Sequence, residues 1–173
     1  MEKGKELNMQ ELKPLSKEGI NSALEKAERY RLLNEPRLAE SICLDVLEVE
    51  PENHNAIITL ILSITDQFGT GSHINEKKVQ ELLPLLKDEY ERTYYAGLIN
   101  ERRGKAVLEK EIPGGSFIAY DWIISAMELY EKAEKIRPAG NDDAILRWNT
   151  CVRLIKRYKL EPKVEDPTGY FLE

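Results

Sequence analysis

Apolar residues recur every three or four positions through INSALEKAERYRLL (20–33), EPRLAESICLDVLEVE (35–50), HNAIITLILSITDQ (54–67) and FIAYDWIISAMELYEKAEKI (117–136). That spacing gathers them on one face of a helix, whose period is 3.6 residues. Breakers separate the runs: NEP at 34, PEN at 51, GTGS at 69, PGGS at 113 and PAGN at 138. No stretch alternates apolar and polar residues as a half-buried strand does. The pattern predicts an all-α chain.

Two of the runs share a finer pattern. Ala39, Cys43, Val46 and Pro51 stand at offsets of four, seven and twelve from the alanine, and Ala126, Tyr130, Ala133 and Pro138 repeat those offsets. Each set describes a helix with a small residue early, a second inward residue a turn later, a third after that, and a proline just beyond the end. The helix before the first set supplies Ala23, Lys26, Ala27 and Tyr30, and a step of 34 residues from these lands on Ile57, Leu60, Ile61 and Ile64. On these residues the chain resembles the tetratricopeptide repeat (TPR) family, whose helix-turn-helix unit repeats every 34 residues with a W-x2-L-G-x2-Y, A-x3-F, P pattern. The chain departs from it in three places, with Ala23 for Trp, Lys26 for Leu and Cys43 for Phe. The resemblance implies a right-handed α-solenoid of about three TPR-like helix pairs and a C-terminal capping helix.

The organisation expected is an N-terminal segment (1–19), helix pairs at 20–53, 54–88 and 89–140, a capping helix at 141–158 and a tail at 159–173. In the first pair Ala27 faces Ala39, since antiparallel helices approach closely where small side chains meet. In the second pair the helix NEKKVQELLPLLK (75–87) carries Pro84, which should kink or end it. In the third pair Gly97 and Ala126 are the facing small residues, yet 29 positions separate them where 12 separate Ala27 from Ala39. Facing residues of an antiparallel hairpin are equidistant from its turn, and the midpoint falls beside IPGGS (112–116). The excess is therefore roughly eight residues on each helix, or about 12 Å of length. A lengthened hairpin is expected to project, either as a partner-contacting arm or as a cover for its neighbours.

Asn141, Asp142 and Asp143 raise the question of a metal. A calcium loop alternates its ligands and carries a distal Glu, whereas these three are consecutive. They are better read as the start of the last helix, with Asn141 as N-cap, acids at its positive end, and Arg153, Lys156, Arg157 and Lys159 at its negative end. Trp148 should pack on the preceding pair, behind an inward stripe led by Ala144 or Ile145. His54 and His73 have no ligand-spaced companions. GTGSH and GLINERRGKA lack the context of a phosphate loop, and neither G-x-S-x-G nor H-E-x-x-H occurs. The many glutamates read as solvated helix faces. No cofactor, metal or catalytic residue is expected, and the chain is read as no enzyme.

Charge and composition narrow the partners. A net charge of −6 disfavours general nucleic-acid binding; a third reading, RNA or anion contact through Arg147, Arg153, Lys156, Arg157 and Lys159, rests on one basic helix. Cys43 and Cys151 fall at apolar helix positions, which suits reduced thiols and a cytoplasmic protein. The start MEKGKELNMQELKPL has no apolar core, and AIITLILSI (56–64) is under half a membrane span, so no targeting or membrane segment is expected. By resemblance, the partner is a peptide or protein segment held in a concave groove lined by Asn21, Leu24 and Glu28; Asn55, Ile58 and Leu62; Glu91, Tyr94 and Leu98; and Asp142, Ile145 and Asn149. The cations that carboxylate-clamping TPR domains use are missing from this set. The alternative is a structural subunit that assembles, with a partner or with itself, through the long hairpin. The tail EPKVEDPTGYFLE (161–173) cannot continue as helix, and its Tyr170, Phe171 and Leu172 are expected to pack back on this chain or a neighbour.

Overall fold

The computed structural model describes residues 11–70 and 74–164. Among these the regular elements are helices: α1 (Ile20–Leu32), α2 (Pro36–Val49), α3 (His54–Thr65), α4 (Ile74–Leu82), α5 (Glu89–Glu109), α6 (Gly115–Lys135) and α7 (Asp143–Tyr158), with 3-10 turns at Lys17–Gly19, Phe68–Thr70 and Leu83–Leu85. No described residue lies in a strand. The chain is all-α. It divides into two compact units, Met1–Leu60 and Ile61–Glu173, with the boundary inside α3. No helix among the described residues is long and apolar enough to cross a membrane. His73 and the tail residues Tyr170, Phe171 and Leu172 lie outside the described residues.

In the first unit α1 packs against α2. Ala27 and Ala39 are fully buried, as the expected close approach requires, and so are Cys43 and Val46. Pro36 sits in the first turn of α2, where a missing N–H removes no helical bond. Past α1, Asn34 takes the left-handed conformation at φ 60° and lets the Glu35 N–H reach the Tyr30 carbonyl at 2.8 Å. Asn53 caps α3, its Oδ1 accepting from the Ala56 N–H at 2.9 Å. Ile20, Leu24, Val46 and Ala56 form a core cluster with Leu15, Ala23, Leu47 and Val49 at its edge.

In the second unit α4 ends at Leu82, and Leu83–Leu85 tightens into a 3-10 turn with Pro84 in its first positions. Pro84 thus ends the helix, as expected, and α4 stops short of residue 87 because a proline ring clashes with the carbonyl four residues back. The hairpin of α5 and α6 dominates this unit. Each helix has 21 residues, where α1 has 13 and α2 has 14. Asp88 caps α5 by accepting from the Glu91 N–H at 2.9 Å, and Gly114, at φ 74°, supplies the left-handed residue before α6.

The contact between α5 and α6 is a seam of small residues. Along α5 the positions Tyr90, Tyr94, Gly97, Glu101, Gly104 and Leu108 alternate steps of four and three, and along α6 Ala119, Ile123, Ala126, Tyr130 and Ala133 do the same and are all buried. A Cβ placed on Gly97 would stand 2.8 and 2.9 Å from carbons of the Tyr130 ring and 3.3 Å from the Ala126 carbonyl. On Gly104 it would stand 2.8 and 3.0 Å from Ile123 side-chain carbons and 3.3 Å from the Ala119 carbonyl. Gly97 therefore does meet Ala126. Gly104, which the helical pattern alone disfavours, is the second point of close approach.

These neighbours separate two alanine variants. Either substitution gains about 1 kcal/mol of helix propensity. Gly97→Ala must displace a phenol ring anchored at both ends, so overpacking of about 1 to 3 kcal/mol should leave it destabilised. Gly104→Ala meets the aliphatic end of Ile123 rather than a hydrogen-bonded ring, and should cost less than Gly97→Ala. Urea midpoints of the two variants check this; a Gly104→Ala midpoint at or below that of Gly97→Ala would overturn the ordering, and two midpoints at or above the parent's would contradict the seam.

The last helix answers the question raised by Asn141, Asp142 and Asp143. Asn141 Oδ1 accepts from the Asp143 N–H and from the Tyr90 hydroxyl, both at 3.0 Å, while Asp142 pairs with Arg137 at 3.5 Å. The helix begins at Asp143, so Asn141 lies one place before the N-cap position and acts as a turn and tether rather than as the cap itself. Ala144, not Ile145, leads the inward stripe. Ala144 and Cys151 are buried in the cluster formed with α6, and Trp148, Val152 and Ile155 pack against it. Lys159 takes φ 49° past the helix end, the Leu160 N–H reaches the Ile155 carbonyl at 3.0 Å, and the Leu160 side chain joins the core.

Candidate functional site

A buried polar cluster in the second unit centres on a glutamate that helical periodicity places on the seam itself. Glu101 falls between Gly97 and Gly104 and is 0% exposed. The Tyr130 hydroxyl donates to its Oε2 at 2.7 Å, the Arg147 guanidinium donates to its Oε1 at 3.4 Å, and the Lys105 ammonium bonds the same Oε1. Lys105 is one turn along α5, Tyr130 comes from α6 and Arg147 from α7, so one carboxylate ties three helices together. Both cations are about one-third exposed, their side chains reaching inward from the surface.

Aromatic rings extend the cluster. Tyr94 stacks on Tyr90 at 5.9 Å, meets Tyr95 edge-on at 5.1 Å and lies 5.9 Å from the Tyr130 ring. Desolvation, and then the Glu101 charge, push the Tyr130 phenol well above its ordinary range. Burial pushes Tyr90 and Tyr95 up to about 12, with Asp143 the next cause for Tyr90 and Tyr94 for Tyr95. For Arg147, desolvation opposes the charge, but a hydrogen bond with Tyr94 and the field of Glu101 outweigh it and hold the guanidinium ionised. Burial pushes the free thiols of Cys43 and Cys151 up to about 12, leaving them essentially undissociated at neutral pH. With three donors on one carboxylate and its phenol held protonated, the arrangement is a fastening rather than an acid-base pair. Among the described residues no three His, Cys, Asp or Glu side chains converge as a metal set would.

A second fastening joins α5 to the segment after Ile61. Arg102 bonds the Leu62 carbonyl at 2.8 Å, the Thr65 hydroxyl, and the Asp66 carboxylate at 2.7 Å. Of the residues expected to line a groove, Asn21, Glu28 and Asn55 in the first unit are exposed and Ile58 is half-buried. In the second unit Asp142 and Asn149 are exposed, and Leu62, Glu91, Tyr94 and Ile145 are half-buried. Leu24 and Leu98 are corrected to core residues, at 8% and 1% exposure. A leucine on the first helix of a pair has an apolar face to join, and burial there is worth about 2 kcal/mol.

Periodicity overlooked Glu101 because glutamates were assigned to solvated faces; its place four residues after Gly97 and three before Gly104 was the signal that it belongs inside. Arg147, grouped with the basic residues of α7 as an anion contact, is committed to Glu101. No family model, curated protein or solved structure matches the chain.

Proposed function

We propose that the chain is a TPR-like module, its helix pairs stacked as a right-handed solenoid, that binds a peptide or protein segment and performs no catalysis. One observation carries this reading. The two sets that share offsets along the sequence, Ala39, Cys43 and Val46 in one unit and Ala126, Tyr130 and Ala133 in the other, are all fully buried. Shared spacing and shared burial in separate units support a repeated packing design, and repeated helix pairs present extended surfaces to partners. Taken unit by unit, the candidate partner-contacting residues are Asn21, Glu28, Asn55 and Ile58 in the first, and Leu62, Glu91, Tyr94, Asp142, Ile145 and Asn149 in the second. Buried free thiols suit a reducing, cytoplasmic setting.

Peptides selected by display against the full chain test this, with backbone amide shifts mapped for each binder. Shifts are expected to concentrate on the residues just named. A library that yields no saturable binder, or binders whose shifts fall elsewhere, overturns the reading.

A second reading has its own observation. Ile112, Phe117 and Ile118 are exposed together where α5 turns into α6. An apolar tip of this kind favours assembly through the hairpin, with another copy or another protein. Concentration-dependent sedimentation that Phe117→Asp abolishes would support it.

A further inference from the structure

Arg103 is 8% exposed although its guanidinium is permanently charged. Its Nη1 donates to Asn100 Oδ1 at 3.3 Å, and the guanidinium carbon lies 4.9 Å from the centre of the Trp122 ring. Its Nε is buried and has no hydrogen-bond partner. The neighbouring cations are treated differently: Arg102 has Asp66 at 2.7 Å, and Arg147 and Lys105 share Glu101. Among the described residues no carboxylate pairs with Arg103. An amide oxygen and an aromatic face hold the group in place, and Asn100 is itself fixed by donating from Nδ2 to Ser125 Oγ at 3.0 Å. Neither supplies the opposite charge that burial of a cation ordinarily demands.

The same side chain lines a surface cavity of about 340 Å³, within the size range of small-ligand sites. Leu83, Pro84, Ala96 and Ile99 make apolar walls, and Gln80 and Asn100 contribute amides. The arrangement is one cation, two amides and an aliphatic surround. We propose that this cavity binds a carboxylate carried on a short apolar body, the anion taken by Arg103 and the body laid against Leu83, Pro84 and Ile99. Guanidinium matches a carboxylate's planar geometry. A fully hydrated anion such as phosphate would gain nothing from the apolar walls. A free organic acid and the apolar C-terminal residue of a peptide share this chemistry. The site stands on the cavity and its cation, whether or not the chain binds peptides in a groove.

The test titrates the isotope-labelled full chain with N-acetyl-leucine, its amide and inorganic phosphate, following the Trp122 indole and Arg103 Nε–H resonances. The acid is expected to bind at least about tenfold tighter than either control. Asn100→Asp places a carboxylate at Arg103 without changing the side chain's shape; it should weaken the acid at least about tenfold and raise the thermal midpoint. Arg103→Gln should also lose the acid, and Asn100→Asp keeps the test decisive if that variant folds poorly. Acid and amide binding alike, phosphate binding as tightly, no saturable shift, or an Asn100→Asp variant with unchanged affinity would each overturn the proposal. Peptides ending in leucine, with free or amidated C-termini, distinguish the sources. Tighter binding of the free-ended peptide than of N-acetyl-leucine identifies a peptide end, and weaker binding identifies a free acid.

Discussion

Replacing Lys105 and Arg147 together by methionine is expected to destabilise the protein by about 3 to 5 kcal/mol, the cost of leaving a buried carboxylate without its counter-charge. The magnitude follows from where the exposure lies. Both cations are about one-third exposed and rehydrate readily, whereas Glu101 is 0% exposed and, among the described residues, has only the Tyr130 hydroxyl left to bond it. Each single variant should cost well under half as much, because the two cations share Oε1 and one can compensate for the other. The double-mutant cycle should therefore be strongly non-additive. Tyr130→Phe, which removes the donor to Oε2, should cost about 1 to 3 kcal/mol. Urea unfolding at neutral pH reads all four variants against the parent. A double variant within about 1 kcal/mol of the parent would show that water reaches Glu101 when its partners leave.

Stability should fall steadily as pH rises from about 9 to about 12. Cys43 and Cys151, with ordinary values of 9.0, are pushed up to about 12 by burial, and Tyr90 and Tyr95, from 10.0, to about 12. In this window the unfolded chain has released protons that the folded chain retains. Raising the pH therefore favours unfolding; the contribution is fully present below the unfolded values and gone above the folded ones. For a thiol that is 0 or 1% exposed, a three-unit shift is worth on the order of 4 kcal/mol. Tyr95 is half-buried and contributes less. Urea midpoints at pH 8, 10 and 11 check the slope. Replacing both cysteines by alanine should lower the starting stability through the cavities left behind but flatten the alkaline decline. A parent curve level to pH 11 would mean that these groups ionise in the folded chain as they do in the unfolded one.

Where helices start and stop was written locally. Pro84 ends α4, Gly114 opens the turn before α6, and Asn53 caps α3, because proline geometry, left-handed backbone and side-chain capping act within a few residues of their cause. The length of the third hairpin was also legible, since facing small residues must be equidistant from a turn and Gly97 does meet Ala126. Sequence could not assign the polar residues, because a side chain's partner depends on which faces meet. Glu101, Arg102, Arg103 and Lys105 follow almost consecutively along one helix, yet a turn of about 100° per residue sends them to different neighbours. Glu101 is drawn onto the seam with Tyr130 and Arg147, Arg102 meets Asp66, and Arg103 lies over Trp122 with no counter-ion among the described residues. Residues remote in the chain make these contacts. Tertiary packing alone decided that one glutamate became a fastening, that Leu24 and Leu98 are core rather than groove, and that one arginine was left facing a cavity with its charge unanswered.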